Sequence, residues 1–284
     1  LSFLLNILLN HIFIFGFMFI PAFGVKGIAI ATIISQFISF IIILLKVLKN
    51  PRVLKINEYL APKFFYFKNI FFQSMPITIS ICGYALAAAI IFTYVGQSGE
   101  YAVAGYGVGT RIEQVVLLPI LGINTAIISI IAQNYGAKNY ERIKQTYFIA
   151  IKYAFIIMVV SGIIVFILAG IITSIFSSDP EVIEYGKRYL KISAFVLPAY
   201  PVFFLSNGFF MALKKSENAM ISNFFRNVLN PIVVFYIAKY IDASFETFFW
   251  IWVCINWFFS ISYLLVVIYY FKEKLNKFST VIQP

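Results

Sequence analysis

The sequence predicts an all-α, polytopic membrane protein with eight transmembrane helices, and three observations predict it. Hydrophobic residues make up 62% of the 284 and charged residues only 12%, against roughly 45–50% and about 25% in soluble domains. A water-soluble globule of this size has nowhere to hide so much apolar surface, because much of its area faces solvent. Next, the apolar residues form continuous runs of about the 20 residues a spanning helix needs, not the alternating ten-residue stretches of a barrel strand. Finally, the basic residues sit in short clusters between the runs, which is how membrane topology is written. A soluble enzyme, a nucleic-acid-binding domain and a disordered chain are therefore poor readings, despite a formal net charge of +11.

The candidate spans are residues 1–20, 27–45, 70–95, 102–132, 153–176, 192–213, 219–238 and 247–271. The first connection carries Lys26, the second Lys46, Lys49, Arg52, Lys55, Lys63 and Lys68, and the third none. The fourth carries Lys138, Arg142, Lys144 and Lys152, and the fifth Lys187, Arg188 and Lys191, offset by Asp179, Glu181 and Glu184. Lys214 and Lys215, then Lys239, then Lys272, Lys274 and Lys277 follow. Alternate connections place fifteen basic residues on one side and five on the other. The richer side is the cytoplasmic one, so the C-terminal tail is expected inside.

The helix ends carry punctuation. Ser178-Asp179-Pro180-Glu181 reads as a helix start, with a cap, a proline in the first turn and an acid near the positive dipole end. Asn134-Tyr135-Gly136-Ala137 reads as a stop, with Gly136 available for a left-handed cap. The connection over 46–69, with Pro51 and Pro62, reads as a linker holding a surface-lying amphipathic piece over 59–67. Residues 5–15 and 225–235 are similar at an offset that lays Asn10 on Asn230. That repeat divides the chain into 1–45, the last two helices of a preceding unit, the linker 46–69, and 70–284, a full six-helix unit with its tail. Internal repeats of this kind are common in secondary transporters. Leu1 already belongs to an apolar run, so the chain is expected to be a fragment of a longer protein whose first four helices are absent. Cys82 and Cys254 lie inside apolar runs and His11 is the only histidine, so neither a disulfide framework nor a metal cluster is expected.

Residues 102–114, Ala-Val-Ala-Gly-Tyr-Gly-Val-Gly-Thr-Arg-Ile-Glu-Gln, then Leu118-Pro119-Ile120-Leu121-Gly122 and Gln133-Asn134-Tyr135-Gly136-Ala137, resemble the eighth helix of the MATE (multidrug and toxic compound extrusion) family. Ser74-Met75-Pro76, Phe209-Phe210-Met211-Ala212-Leu213-Lys214-Lys215, and the stretch from Asn6 through Gly24-Val25-Lys26-Gly27 to Thr32 fit in the expected order. The resemblance covers nearly the whole chain. It implies helices five to twelve of a twelve-helix, two-lobe transporter of the plasma (inner) membrane, a multi-pass protein and not an enzyme. Small organic, often cationic, compounds would be exported as xenobiotics by alternating access, coupled to inward flow of Na+ or H+. The lipid bilayer and the missing helices would be its partners, with no cofactor and no nucleic acid.

Polar residues inside the spans are the informative ones, because they are expensive in lipid. Asn6 and Asn10 share one helix face, and the resemblance implies that they and Thr32 serve an ion site. Asn10 stands where the family often has aspartate, and a neutral amide can ligate sodium but carries no proton. Interhelical hydrogen bonding is the competing reading for all three. A histidine can shuttle protons, yet His11 shares no helix face with Asn10. Arg111 and Glu113, two apart, point to different sides of their helix, and Glu113 is expected to face a substrate cavity and attract cations; interfacial solvation or a structural pair with a neighbouring helix is the alternative. The family's sodium-type members place acids near Tyr84 and Tyr200. Tyrosines there could line a cavity for aromatic cations or pack the bundle. Gly105, Gly107 and Gly109 suit close helix packing rather than phosphate binding, since no Gly-Lys-Ser/Thr follows. A lipid-linked oligosaccharide flippase of the same superfamily is the alternative function. It would want a more basic cavity than Arg111 and Arg226 supply. A membrane-embedded enzyme would need paired acids or a histidine cluster that the sequence lacks.

Overall fold

In the computed structural model, residues 2–17, 21–49 and 64–275 are described, and all the regular structure among them is helical. The chain divides into two compact units, residues 1–68 and 69–284. The first unit is a hairpin of α1 (Ser2–Phe15) and α2 (Val25–Leu48). Gly24 turns the chain at a positive φ of 55°, which a residue without Cβ adopts at no steric cost. Gly27 then lies directly against the Phe13 carbonyl, where any Cβ would collide with backbone.

The second unit takes in most of α3 (Phe64–Gly96) and the whole of α4 (Glu100–Gly136), α5 (Tyr140–Ser174), α6 (Pro180–Ser193), α7 (Tyr200–Ala212), α8 (Ser216–Phe224), α9 (Asn230–Tyr240) and α10 (Phe245–Tyr270). A 3-10 turn, Leu197–Ala199, leads into α7, and a π turn, Phe225–Leu229, joins α8 to α9 without a break. Pro231 lacks the N–H that would bond the carbonyl one turn earlier, and the helix widens just before it. At the centre α4 packs on α5, α6 and α7, burying Tyr147, Phe209, Phe210 and Phe248 fully. Tyr94 ties the end of α3 down by stacking on Phe248 at 4.1 Å and donating to the Ala243 carbonyl at 2.6 Å.

Four helices among the described residues are long and apolar enough to cross a bilayer: α2, α4, α5 and α10. A fifth results if α6 and α7, bent by 41° at their junction, form one span. The protein is a multi-pass membrane protein. That bent pair departs from the sequence reading. The charged stretch expected as a connection is the helix α6, started by Asp179, whose carboxylate accepts from Glu181 N at 2.9 Å and Val182 N at 3.3 Å. The expected start at Asp179 is present, and the charges at 181–191 hide the helix that follows because they interrupt the apolar run. Likewise α5 begins at Tyr140, capped by Asn139, thirteen residues before its apolar run.

Helix α4 ends at Gly136, but the left-handed residue is Lys138, with φ 57°. Asn139 N donates to Asn134 O and Lys138 N to Tyr135 O, the paired closure of a Schellman stop. Lys214, at φ 58°, closes α7 in the same way, with Lys215 N on Phe210 O. Most of the amphipathic piece expected over 59–67 lies outside the described residues; its last part, from Phe64, opens α3.

The glycines Gly105, Gly107 and Gly109 near the start of α4 differ in use. A Cβ on Gly105 would sit 2.7 Å from Gly186 N and 2.8 Å from Val182 O, whereas Gly107 has open space. Gly105→Ala should destabilise the full-length protein by about 1–3 kcal/mol, the usual cost of overpacking, and Gly107→Ala should not. Thermal melting in detergent, with both variants compared at equal concentration, checks this.

Candidate functional site

Each unit builds a polar cluster into apolar helices. In the first, Asn10 Nδ2 donates to Asn6 Oδ1 at 2.9 Å, and Asn6 Nδ2 reaches Thr32 Oγ1 at 3.2 Å and Ser35 Oγ at 3.4 Å. The i, i+4 spacing on α1 meets the i, i+3 spacing on α2, so one face of each helix supplies the chain of groups. The three residues expected at an ion site are thus brought together, and Ser35, not expected, joins them. Its position one turn after Thr32 is the signal that the sequence offers. The far end of the chain is open: Asn10 Oδ1 is buried with no hydrogen-bond partner. His11 is exposed, and its ring lies tilted against that of Phe15 with centroids 5.2 Å apart.

In the second unit the cluster centres on Glu113, which is 8% exposed. Its carboxylate accepts the Tyr189 hydroxyl on one oxygen and the Tyr200 hydroxyl, at 2.5 Å, on the other. Gly109, one turn earlier on α4, makes the seat for the Tyr189 ring, which occupies the place a Cβ would take. Tyr106 and Phe249 wall the site, with ring centroids 5.0 Å and 4.8 Å from that of Tyr189. Glu113 is thus paired within the bundle, while Arg111 is exposed, so the two do point apart as their spacing predicts.

Arg226, carried by the π turn, lays its guanidinium over Phe203 at 4.0 Å, Tyr200 at 4.7 Å and Phe204 at 5.5 Å. Its Nε donates to Asn256 Oδ1 at 3.4 Å. No carboxylate among the described residues lies within salt-bridge distance of it, although Glu113 is near enough to interact through space. A delocalised, weakly hydrated cation sheathed by aromatic faces is stable where an ammonium would not be. Tyr200 sits between the two charges, touching Glu113 through its hydroxyl and Arg226 through its ring. Tyr84 is 61% exposed on α3, within electrostatic reach of Arg226 but bonded to no member of the cluster.

Tyr189 and Asn256 escaped sequence reading. Tyr189 fell in the stretch read as a connection, and Asn256 was one polar residue in a long aromatic run. Among the described residues no group of three metal-ligating side chains gathers, and both cysteines are free.

Arg226→Lys keeps the charge and loses the planar stack. It should cost about 1–2 kcal/mol, seen as a lower melting temperature of the full-length protein in detergent.

Residues 76–236 match the family model MatE. Over 248 residues the chain is 24% identical to the FAD transporter of Shewanella oneidensis, covering 86% of this chain and 54% of that one. It is 27% identical over 238 residues to the probable multidrug resistance protein NorM of Thermotoga maritima, covering 82% and 48%. The chain therefore spans about half the length of these curated relatives. The fold matches a solved MOP superfamily transporter from Pyrococcus furiosus with a TM-score of 0.86 at 24% identity, over 98% of this chain and 62% of that one. It also matches the Vibrio cholerae MATE transporter VcmN, with a TM-score of 0.84 at 22% identity, over 99% and 62%. With more than half of its residues inside the family model, and with polar clusters of this kind set in a membrane bundle, the chain belongs to the MATE family of transporters, which are not enzymes.

Proposed function

We propose that the chain is the later part of a cation-coupled antiporter that exports small organic compounds by alternating access. In this reading the first unit is the last helix pair of one lobe, 46–69 is a cytoplasmic linker, and the six-helix remainder is the second lobe. The protein spans the plasma membrane eight times within this chain and leaves its C-terminus in the cytoplasm, on the side richer in lysine and arginine.

The observation that carries the reading is the open end of the first cluster. A buried amide oxygen without a donor is costly in an apolar setting, and Asn10 Oδ1 is one. Held beside Asn6, Thr32 and Ser35, it offers a hard oxygen to a monovalent cation. Such a site suits Na+; coupling to H+ would need a carboxyl from another part of the full-length protein. Ion binding would then shift the population between inward-open and outward-open forms.

Two features favour a second substrate class, organic anions with aromatic groups. One is the aromatic-sheathed Arg226, and the other is the likeness to a relative named as an FAD transporter. The oligosaccharide flippase is less supported, since Arg226 is the single base in the second cluster and Arg111 is exposed.

Efflux of ethidium and of flavin nucleotides from cells expressing the full-length protein tests these readings, with the sodium and proton gradients collapsed in turn. Export of either compound should stop with one gradient. Asn10→Leu should lower it about tenfold at equal protein level. Export that survives the loss of both gradients overturns the antiporter reading.

A further inference from the structure

The junction between α6 and α7 is held from two sides. On one side its backbone is anchored. Trp257 Nε1 donates to the Phe195 carbonyl at 2.8 Å, and Gly162 of α5 lies so close to the Ala194 carbonyl that a Cβ there would stand 2.8 Å from it. Trp257 thus takes up a carbonyl that the bend frees from the regular helical pattern, and Gly162 packs close against another, at the point where Pro198 cannot donate an N–H. On the other side stands Glu113. Its two oxygens are taken by one tyrosine from each arm: Tyr189 lies four residues before the end of α6, and Tyr200 opens α7.

From this we infer that Glu113 is a positioning residue that sets the angle of the elbow, acting as a bracket between its two arms. The anchored carbonyls at 194–195 are the fulcrum, and the pair of O–H bonds fixes the arms about it. A carboxylate is the side chain for this task, because it offers two equivalent acceptors and both tyrosines offer a donor. An amide of the same shape has one acceptor oxygen, so it holds one arm as before and can hold the other only by a weaker, reversed bond from its NH2 to the tyrosine oxygen. Arg226 rests its guanidinium on the ring of Tyr200, so a change at the π turn reaches the same arm. The bracket assigns Glu113 a task inside the bundle, distinct from attracting a substrate in a cavity.

The test uses the full-length protein in liposomes, with the native Cys82 and Cys254 replaced by serine. Spin labels go on cysteines at Glu181 and Met211, exposed positions near the outer ends of the two arms. Glu113→Gln should broaden the distance distribution between the labels and lengthen it, by up to about 3 Å for full straightening of arms that rise 1.5 Å per residue. Tyr189→Phe and Tyr200→Phe remove one hydroxyl each and should each give part of that change. Added to Glu113→Gln, neither should add its full effect, since bonds of one network are not additive. Glu113→Asp, which keeps both acceptors, should restore a narrower distribution than Glu113→Gln. Distributions unchanged by Glu113→Gln, Tyr189→Phe and Tyr200→Phe overturn the bracket, as do changes that simply add. If Glu113→Gln fails to fold, the two tyrosine variants decide the matter alone. The distance measurement does not depend on what is transported, so it stands or falls separately from the antiporter reading. In a transport assay, the bracket predicts turnover lowered about tenfold in Glu113→Gln with an unchanged KM, whereas a substrate-binding role would move KM.

Discussion

Inside a bilayer no water is at hand for a polar side chain, so leaving one without a partner from the chain is costly. Glu113 meets this constraint through Tyr189 and Tyr200, and much of the second unit follows from it. The acid can lie on α4 only if two donors converge on it. Two donors can converge only if α6 and α7 present both arms of an elbow. At the elbow Trp257 donates to the Phe195 carbonyl, and Gly162 lets α5 pack close against the Ala194 carbonyl. Gly109 belongs to the same set, because the ring of Tyr189 fills the space its missing side chain leaves.

The small residues of α4 gain their meaning from this arrangement. Gly105 brings α4 into backbone contact with α6, and Gly109 lets an aromatic ring through, while Gly107 between them faces open space. In lipid, helices are not driven together by the hydrophobic effect, so close approach and interhelical hydrogen bonds supply the attraction. Tyr147 with Ser206 at 2.7 Å, and Tyr263 with Asn207 at 3.0 Å, are further links of this sort around the core.

The two similar stretches, 5–15 and 225–235, carry different chemistries. The similarity that lays Asn10 on Asn230 also lays Asn6 on Arg226. Asn6 links α1 to α2 through residues 26 and 29 positions later, and Arg226 links its helix to α10 through a residue 30 positions later. Asn10 and Asn230 both end with a buried amide oxygen lacking a partner. In one unit the link is neutral; in the other it is a guanidinium wrapped in rings. The partners do not fall in the same register, since Asn256 lies on Gln36 rather than on Thr32 or Ser35, and the charge of the link differs too.

By itself the sequence determined that the chain lives in a membrane as helices, where most of those helices run, and which family it resembles. These properties are written in composition, in the length of apolar runs and in short contiguous motifs, all of which are local. It also marked Asp179 as a helix start and singled out Asn6, Asn10, Thr32, Glu113 and Tyr200. Only the tertiary structure decided that α6 is an arm of a bent pair rather than a connection. It also decided that Tyr189 and Tyr200 share one carboxylate, and that Arg226 rests on aromatic faces. Those pairings join residues 76 and 87 positions apart. No local pattern encodes such a separation, because it depends on how far each helix turns and where the elbow bends before the side chains meet.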